Sequence, residues 1–230
     1  MKNKSYIGIA FIVLIFGIYA IPKIVNTIKN NEVVTTDKDI EKLSNKKGAS
    51  SLMKFEKVPN FSFIDQNGKT ISNKDYQNKV YVVEFFFTSC PNICPKMNKN
   101  MVKIQNTFAK NSDFAIASIS VDPERDTQET LKKYAEEKGA TMKNWHFLRG
   151  DIDKVFQLSN EGFKLYAGKN TKAEGGFEHS GLFALIDKNG YIRSRVTKVG
   201  ENENPLKFYD GLDDKQVQWI KEDIALLLNE

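Results

Sequence analysis

Two kinds of apolar pattern alternate along the chain and predict buried strands separated by helices. Residues 80–87 (VYVVEFFF) and 114–121 (FAIASISV) are almost continuously apolar, β-branched or aromatic, which is typical of strands buried on both faces. Apolar residues then recur at helical spacing in residues 97–108. The remaining pattern predicts helices at residues 126–139, 151–166 and 213–228, and a short strand at residues 145–148.

Two further segments have the pattern of hairpins. Residues 61–71 alternate around an Asn-Gly turn, and residues 182–196 alternate around the turn Asp187-Lys-Asn-Gly190. Strands that alternate with helices and end in a hairpin favour an α/β sandwich. The predicted order matches a thioredoxin-like (peroxiredoxin-like) sandwich with an N-terminal β-hairpin and an inserted hairpin.

The N-terminal part of the chain predicts a membrane attachment. Residues 6–21 carry no charge and follow Lys2 and Lys4, so we expect residues 1–22 to be a single transmembrane helix that anchors the protein. A cleaved signal peptide is the alternative, although a cut after Ala20 would place the bulky Ile18 at a position that prefers small residues. Residues 23–54 are polar and predict a linker, and residues 55–230 predict the folded domain.

The amino-acid composition excludes some classes of partner and of cysteine function. The net charge is +5, but the 34 Lys and Arg are mixed with 29 Asp and Glu, so a nucleic-acid partner is not expected. The chain has two cysteines, in one short motif, and two histidines. An extracellular disulfide scaffold would carry more cysteines, spread along the chain, so the pair indicates chemistry.

The cysteine motif CPNICP occupies residues 90–95, after a predicted buried strand and at the start of a helix. A helix N-terminus lowers thiol pKa values, and the thiolate is both a nucleophile and a metal ligand. Thioredoxin-type oxidoreductases have two residues between their cysteines, whereas Cys90 and Cys94 have three. Residues at i and i+4 share a helical face, so both sulfurs can converge on one point or form a disulfide.

A histidine lies where a metal ligand would be needed. His179 precedes the predicted strand at residues 182–186, which in a thioredoxin-like fold packs near the cysteines. That position usually carries a cis-proline in oxidoreductases, but the chain has no proline between Pro123 and Pro205. This favours metal binding. Soft thiolates prefer Cu(I), and an added imidazole also accommodates Cu(II). His146 lies within a predicted strand and is not expected to be a ligand, and Met97 and Met101 are expected in the core.

Four motifs in the same order resemble the Sco/SenC family of copper-binding proteins. They are CPNICP at 90–95, VDPERDT at 121–127, WHFL at 145–148, and His179 followed by the DKNG turn at 187–190. The resemblance covers residues 55–230. It implies that Cys90, Cys94 and His179 bind copper, as Cu(I) or Cu(II), for delivery to the CuA site of cytochrome c oxidase subunit II or to another copper acceptor.

The proposed copper delivery implies a further partner, the predicted anchor indicates a location, and a second function remains possible for the cysteines. Transfer needs reduced cysteines, so a thiol reductase is an expected partner, and the anchor indicates a bacterial inner-membrane protein whose domain faces the periplasm. Alternatively, Cys90 and Cys94 form a redox-active pair of a thiol–disulfide oxidoreductase that keeps CuA cysteines reduced, or of a redox-signalling protein. Otherwise we expect no enzyme activity.

Several residues around the motifs differ from the family or have open roles. Many family members carry Asp at the positions of Asn92 and Glu178. Asp122 and Asp126 are candidates for support of the site or for docking, with helix capping as the simpler role of Asp126. The segment 169–176 predicts a mobile loop beside His179.

Overall fold

The computed structural model describes residues 52–199 and 202–230. The predicted anchor at 1–22 and the linker up to residue 51 lie outside the described residues. Among the helices of the described part, none has the length and apolar character needed to cross a bilayer. The first strand begins at Met53, two residues before the predicted start of the domain, because its residues pair with Ser194 and its neighbours.

The secondary structure alternates as predicted, and its elements are numbered here in chain order. The strands are β1 (Met53–Lys57), β2 (Ser62–Ile64), β3 (Thr70–Ser72), β4 (Val80–Phe86), β5 (Phe114–Ser120), β6 (Trp145–Leu148), β7 (Ala167–Lys169), β8 (Phe177–His179), β9 (Leu182–Ile186), β10 (Tyr191–Ser194), β11 (Val196–Val199), β12 (Asn202–Pro205) and β13 (Tyr209–Asp210). The α-helices are α1 (Cys94–Phe108), α2 (Gln128–Glu137), α3 (Ile152–Gln157) and α4 (Asp214–Leu228). A 3₁₀ turn (Asn73–Tyr76) follows β3, and a π-helix (Leu158–Phe163) follows α3.

The central sheet has the strand order β1-β10-β9-β4-β5-β6, and β13 pairs with β9. Strands β4, β5 and β6 are parallel, whereas β9 runs antiparallel to β4 and to β10. Every residue of β4 and β5 is buried, as the continuous apolar runs predict. The predicted hairpins form as β2–β3 and β9–β10.

Side chains on alternate positions of β4 face two different cores. Val80, Val82 and Phe86 pack with buried residues of α1, α2 and α4 on one face. Tyr81, Val83 and Phe85 pack on the other face with the β2–β3 hairpin, α3 and the π-helix. The layers therefore form the α/β sandwich that the sequence predicts, and the first core contains the cysteine end of α1.

The start of α2 differs from the prediction. Thr127, not Asp126, is the N-cap, and its Oγ1 accepts a hydrogen bond from the backbone N–H of Thr130 at 3.2 Å. Asp126 is fully buried and accepts hydrogen bonds from Thr88 and Ser120. The capping role predicted for Asp126 is therefore wrong, because its carboxylate is turned inward to polar partners of two other segments.

The segment after β6 also departs from the predicted single helix. α3 ends at Gln157, the π-helix continues to Phe163, and Lys164 takes a left-handed conformation with φ of 58°. β7 and β8 then pair in antiparallel fashion, with Ala167 opposite His179. Much of the predicted loop is thus the turn of a hairpin, and its mobility stays a prediction.

Candidate metal centre

The loop between β4 and α1 carries both cysteines. Cys90 is partly exposed and Cys94, the first residue of α1, is 2% exposed. Pro95 lies in the first helical turn, where a missing N–H leaves no helical bond unmade. The loop is held at Thr88, whose backbone N–H lies 3.2 Å from Oδ2 of Asp126. The strand and the helix thus place the two thiols at the end of the parallel sheet.

His179 reaches the thiols from the other side. It ends β8 and is 9% exposed. Its Nδ1 lies 3.0 Å from the carbonyl oxygen of Ser180, and since a carbonyl can only accept, Nδ1 donates. Nε2 is the nitrogen that faces the cysteines, 3.0 Å from Sγ of Cys94. The backbone carbonyl therefore orients the ring so that Nε2 is available to bind a metal ion.

The three residues predicted from the sequence converge on one point. One ligand atom from each of Cys90, Cys94 and His179 lies within 4.8 Å of the other two. Both cysteines are free thiols. His146 lies apart from this group: its Nδ1 is 2.9 Å from the hydroxyl of Tyr76. Two soft sulfur atoms and one imidazole fit Cu(I) or Cu(II).

The two thiols differ strongly in acidity. The hydrogen bond from Cys94 is the main reason that the pKa of Cys90 falls to about 3, and His179 also contributes. The same contact, together with burial, raises the pKa of Cys94 far above its usual range. Cys90 is therefore the thiolate at neutral pH and Cys94 keeps the proton. The low pKa expected from the helix terminus occurs at Cys90, with the neighbouring thiol as its principal cause.

A pair of packed aromatic rings lines one side of the imidazole. The Phe87 ring meets the His179 ring edge-on, with centroids 5.7 Å apart, and the Phe177 ring lies 5.8 Å from Phe87. Phe87 is 1% exposed. Apolar walls on one side of the donors strengthen electrostatic interactions at the site, because they exclude water. From the sequence, Phe87 is predicted only as part of a buried strand, and its contact with His179 is not. The one sequence feature that points to Phe177 is its position two residues before His179.

A buried carboxyl group that the sequence analysis missed lies in the same core as Cys94. Glu84 is 2% exposed in the middle of β4 and accepts a hydrogen bond from the Ser118 hydroxyl at 2.6 Å. That hydroxyl accepts in turn from the indole N–H of Trp145 at 3.0 Å. Burial raises the pKa of Glu84 to about 7, against the smaller opposing effects of Ser118 and His179.

The two aspartates of the VDPERDT motif lie behind the cysteine loop. Asp126 contacts Thr88, two residues before Cys90, and burial raises the pKa of its carboxyl group in spite of these hydrogen bonds. Asp122 is buried and forms an ion pair with Arg125. The structure thus connects this motif to the loop of the candidate centre.

Comparison with known proteins gives consistent matches. The SCO1/SenC family model matches residues 50–209. A SCO1 protein homolog of Bacillus subtilis is 31% identical over 169 residues, which cover 73% of this chain and 80% of that protein. BsSco, described as a member of the Sco family of cytochrome c oxidase assembly proteins with a disulfide switch, is 29% identical with a TM-score of 0.61, over 75% of this chain and 93% of that chain. The copper-bound structure of ScoI from Bradyrhizobium japonicum, 24% identical, has the same fold, with a TM-score of 0.58 over 75% of this chain and 100% of that chain.

Proposed function

The chain belongs to the SCO1/SenC family, and on that premise we propose that it is a copper chaperone that binds copper through Cys90, Cys94 and His179. The observation that carries the proposal is the convergence of two sulfur atoms and one imidazole nitrogen within 4.8 Å. These residues come from two segments that the fold brings together, and each is placed by its own local structure.

The donor set favours copper over other metals. Thiolates are soft ligands that select Cu(I), and the imidazole extends the site to Cu(II). Structural zinc sites have four protein ligands, whereas the group in the described part of the chain has three. An open coordination position and the partial exposure of Cys90 would let a thiol of an acceptor protein join the metal before Cys94 and His179 release it.

The proposed acceptor is the CuA site of cytochrome c oxidase subunit II or another copper-binding protein. BsSco, which has the same fold and is 29% identical over the aligned residues, is described as a member of the Sco family of cytochrome c oxidase assembly proteins. The apolar residues 6–21 support the proposal of an N-terminal anchor in a bacterial inner membrane, with the polar residues 23–54 as a tether to a periplasmic domain. Because copper binding requires free thiols, a thiol reductase is proposed as a second partner.

A second candidate function is thiol–disulfide exchange, favoured by the acidity of Cys90. A partly exposed thiolate beside a protonated thiol is the arrangement by which one cysteine attacks a partner's disulfide and the other resolves the mixed disulfide. In that exchange the partner's disulfide gains two electrons and becomes two thiols, while Cys90 and Cys94 form a disulfide. Cys94 supplies one of the two protons and the solvent supplies the other, because Cys90 is already a thiolate. The disulfide switch described for BsSco supports this candidate.

Copper stoichiometry of the reduced domain tests the proposal. Residues 49–230, which form one compact unit, are loaded with Cu(I) under anaerobic conditions, passed through a gel-filtration column and assayed for metal. We expect one copper per chain, lost in Cys90→Ser and in His179→Ala, and retained in the control His146→Ala. If the reduced wild-type domain retains no copper, the proposal fails. If His179→Ala still reduces a disulfide substrate at the wild-type rate while it loses copper, the two functions use the site differently.

A further inference from the structure

The turn between β5 and α2 contains an arginine that the copper site itself does not use. Arg125 lies in the VDPERDT motif, and its side chain is 52% exposed. A solvated arginine at such a position would ordinarily point into water. Instead, its guanidinium group contacts three other residues of the described chain: Asp122, Gly175 and Phe177.

The turn that carries Arg125 is fixed to the cysteine loop. Asp126 accepts hydrogen bonds from the backbone N–H and from the hydroxyl of Thr88, at 3.2 and 2.5 Å, and from the Ser120 hydroxyl at 2.5 Å. Thr88 is two residues before Cys90. Asp122, which is 2% exposed, holds the guanidinium group of Arg125 through Nε. The base of Arg125 is therefore rigid with respect to the thiols.

The other end of Arg125 reaches the hairpin that carries His179. Nη2 donates a hydrogen bond to the carbonyl oxygen of Gly175, in the turn between β7 and β8. The guanidinium carbon lies 5.6 Å from the ring centroid of Phe177, in the geometry of a cation–π contact. Phe177 packs on Phe87, and Phe87 packs edge-on against the ring of His179.

We propose that Arg125 is a positioning residue that holds the β7–β8 hairpin against the cysteine loop and so sets the distance between His179 and the two thiols. This inference rests on the proposed copper function, because it assigns a role in building the same site. The turn at residues 121–127 touches both ligand-bearing segments two residues before a ligand: at Thr88 before Cys90, and at Phe177 before His179.

The chemistry of the contacts requires a guanidinium group. A planar, delocalised cation can stack on a ring, donate to a carbonyl oxygen and pair with a carboxylate at the same time. An ammonium group is a point charge that can keep the ion pair with Asp122 and cannot satisfy all three contacts. Arg125→Lys should therefore restore only part of what Arg125→Gln loses.

The test compares full-length chains, purified in detergent, that carry Arg125→Gln, Arg125→Lys or the control Lys172→Gln. Lys172 is exposed in the same hairpin turn, so its substitution removes one charge near the site without touching Phe177. Electron paramagnetic resonance of the Cu(II)-loaded chains reports the nitrogen ligand through its hyperfine coupling, with His179→Ala as the reference for its loss. Hydrogen exchange of the metal-free chains, followed for residues 166–180, reports how tightly the hairpin is held.

For Arg125→Gln we expect weakened nitrogen coupling, copper affinity lower by about tenfold and faster exchange confined to residues 166–180. Arg125→Lys should be intermediate and Lys172→Gln unchanged. Nitrogen coupling and exchange equal to the wild type in Arg125→Gln, with coupling lost in His179→Ala, would overturn the inference. If the wild-type chain binds no copper, the proposed function fails, and hydrogen exchange alone tests the positioning role of Arg125. Faster exchange of the hairpin in Arg125→Gln supports that role, and unchanged exchange refutes it.

Discussion

The Sγ atom of Cys94 lies 3.0 Å from Nε2 of His179, although 85 positions separate the two residues in the sequence. Nδ1 of the same ring donates to the Ser180 carbonyl, so Nε2 is the ring nitrogen that faces the thiol. A metal ion that binds here must displace the proton of Cys94 and needs to displace none from Cys90. Before a metal ion binds, Cys94 is thus protonated and Cys90 is not.

The first prediction concerns proton release on metal binding. Because Cys90 is already a thiolate and Cys94 holds its proton, we expect Cu(I) to displace about one proton per copper at pH 7.5. Two thiols of ordinary pKa would release about two. Calorimetric titrations in two buffers of different ionisation enthalpy count the protons. A release of about two would contradict the unequal acidity of the pair.

The second prediction separates the causes of the acidity of Cys90. Its pKa of about 3 depends first on the hydrogen bond from Cys94, so Cys94→Ala should move the pKa of Cys90 upward, toward that of an ordinary thiol. Cys94→Ser keeps a donor and should shift the pKa less. Alkylation of Cys90 should be nearly independent of pH from 5 to 8 in the wild type and rise by roughly tenfold per pH unit in Cys94→Ala. Equal profiles for the wild type and Cys94→Ala would show that groups other than the Cys94 thiol lower the pKa of Cys90.

The third prediction concerns the buried carboxyl group of Glu84 and the free energy of unfolding. Its pKa is about 7 in the folded chain against a reference of 4.5, so between these values the folded state binds more protons and stability falls as pH rises. The loss of unfolding free energy caused by ionising Glu84 is complete above pH 7 and absent below pH 4.5. A shift of this size corresponds to at most about 3 kcal/mol. Glu84→Gln, whose amide oxygen can still accept from Ser118, should therefore be more stable than the wild type at pH 8 and equal to it near pH 4.5.

Urea unfolding of residues 49–230 at the two pH values checks this prediction. Glu136→Gln serves as a control, because Glu136 is exposed on α2 and its loss removes one carboxyl group without changing the core. A stability gain for Glu84→Gln that is the same at pH 4.5 and pH 8 would mean that packing, and not ionisation of Glu84, is responsible.

Local sequence signals were sufficient for much of the fold. The strands β4 and β5 follow from nearly uninterrupted apolar runs. Helix α4 begins after its N-cap Asp213, whose Oδ1 lies 2.7 Å from the backbone nitrogen of Lys215. The scarcity of Cys and His made the candidate ligands few, so Cys90, Cys94 and His179 could be selected before their distances were known. These features depend on neighbours in the chain or on rare residue types.

Features that depend on distant partners could not be predicted in this way. Whether Asp126 or Thr127 caps α2 is decided by Thr88, which lies 38 positions away from Asp126 and draws its carboxylate inward. The β7–β8 hairpin has no alternating apolar pattern, and its strands have three residues each, held by mutual pairing. A charged residue within an apolar run, such as Glu84, does not reveal from sequence alone that Ser118 will be its partner.

The last prediction concerns the hairpin turn beside the site. Gly175 has φ of +89°, and a Cβ atom added there would lie 2.7 Å from Cε2 of Phe87. Phe87 cannot move aside easily, because it is buried between Phe177 and His179. Gly139 provides the matched control: its φ is +79°, and an added Cβ would meet nothing within 4 Å. Gly139→Ala should therefore cost only the backbone strain, about 1 kcal/mol of unfolding free energy, and leave copper binding unchanged. Gly175→Ala should cost clearly more and also weaken copper binding, because it displaces the ring that packs on His179. Chemical denaturation and Cu(I) competition titrations of both variants measure the two effects, and equal losses of stability with equal copper affinities would show that contact with Phe87 does not support the site.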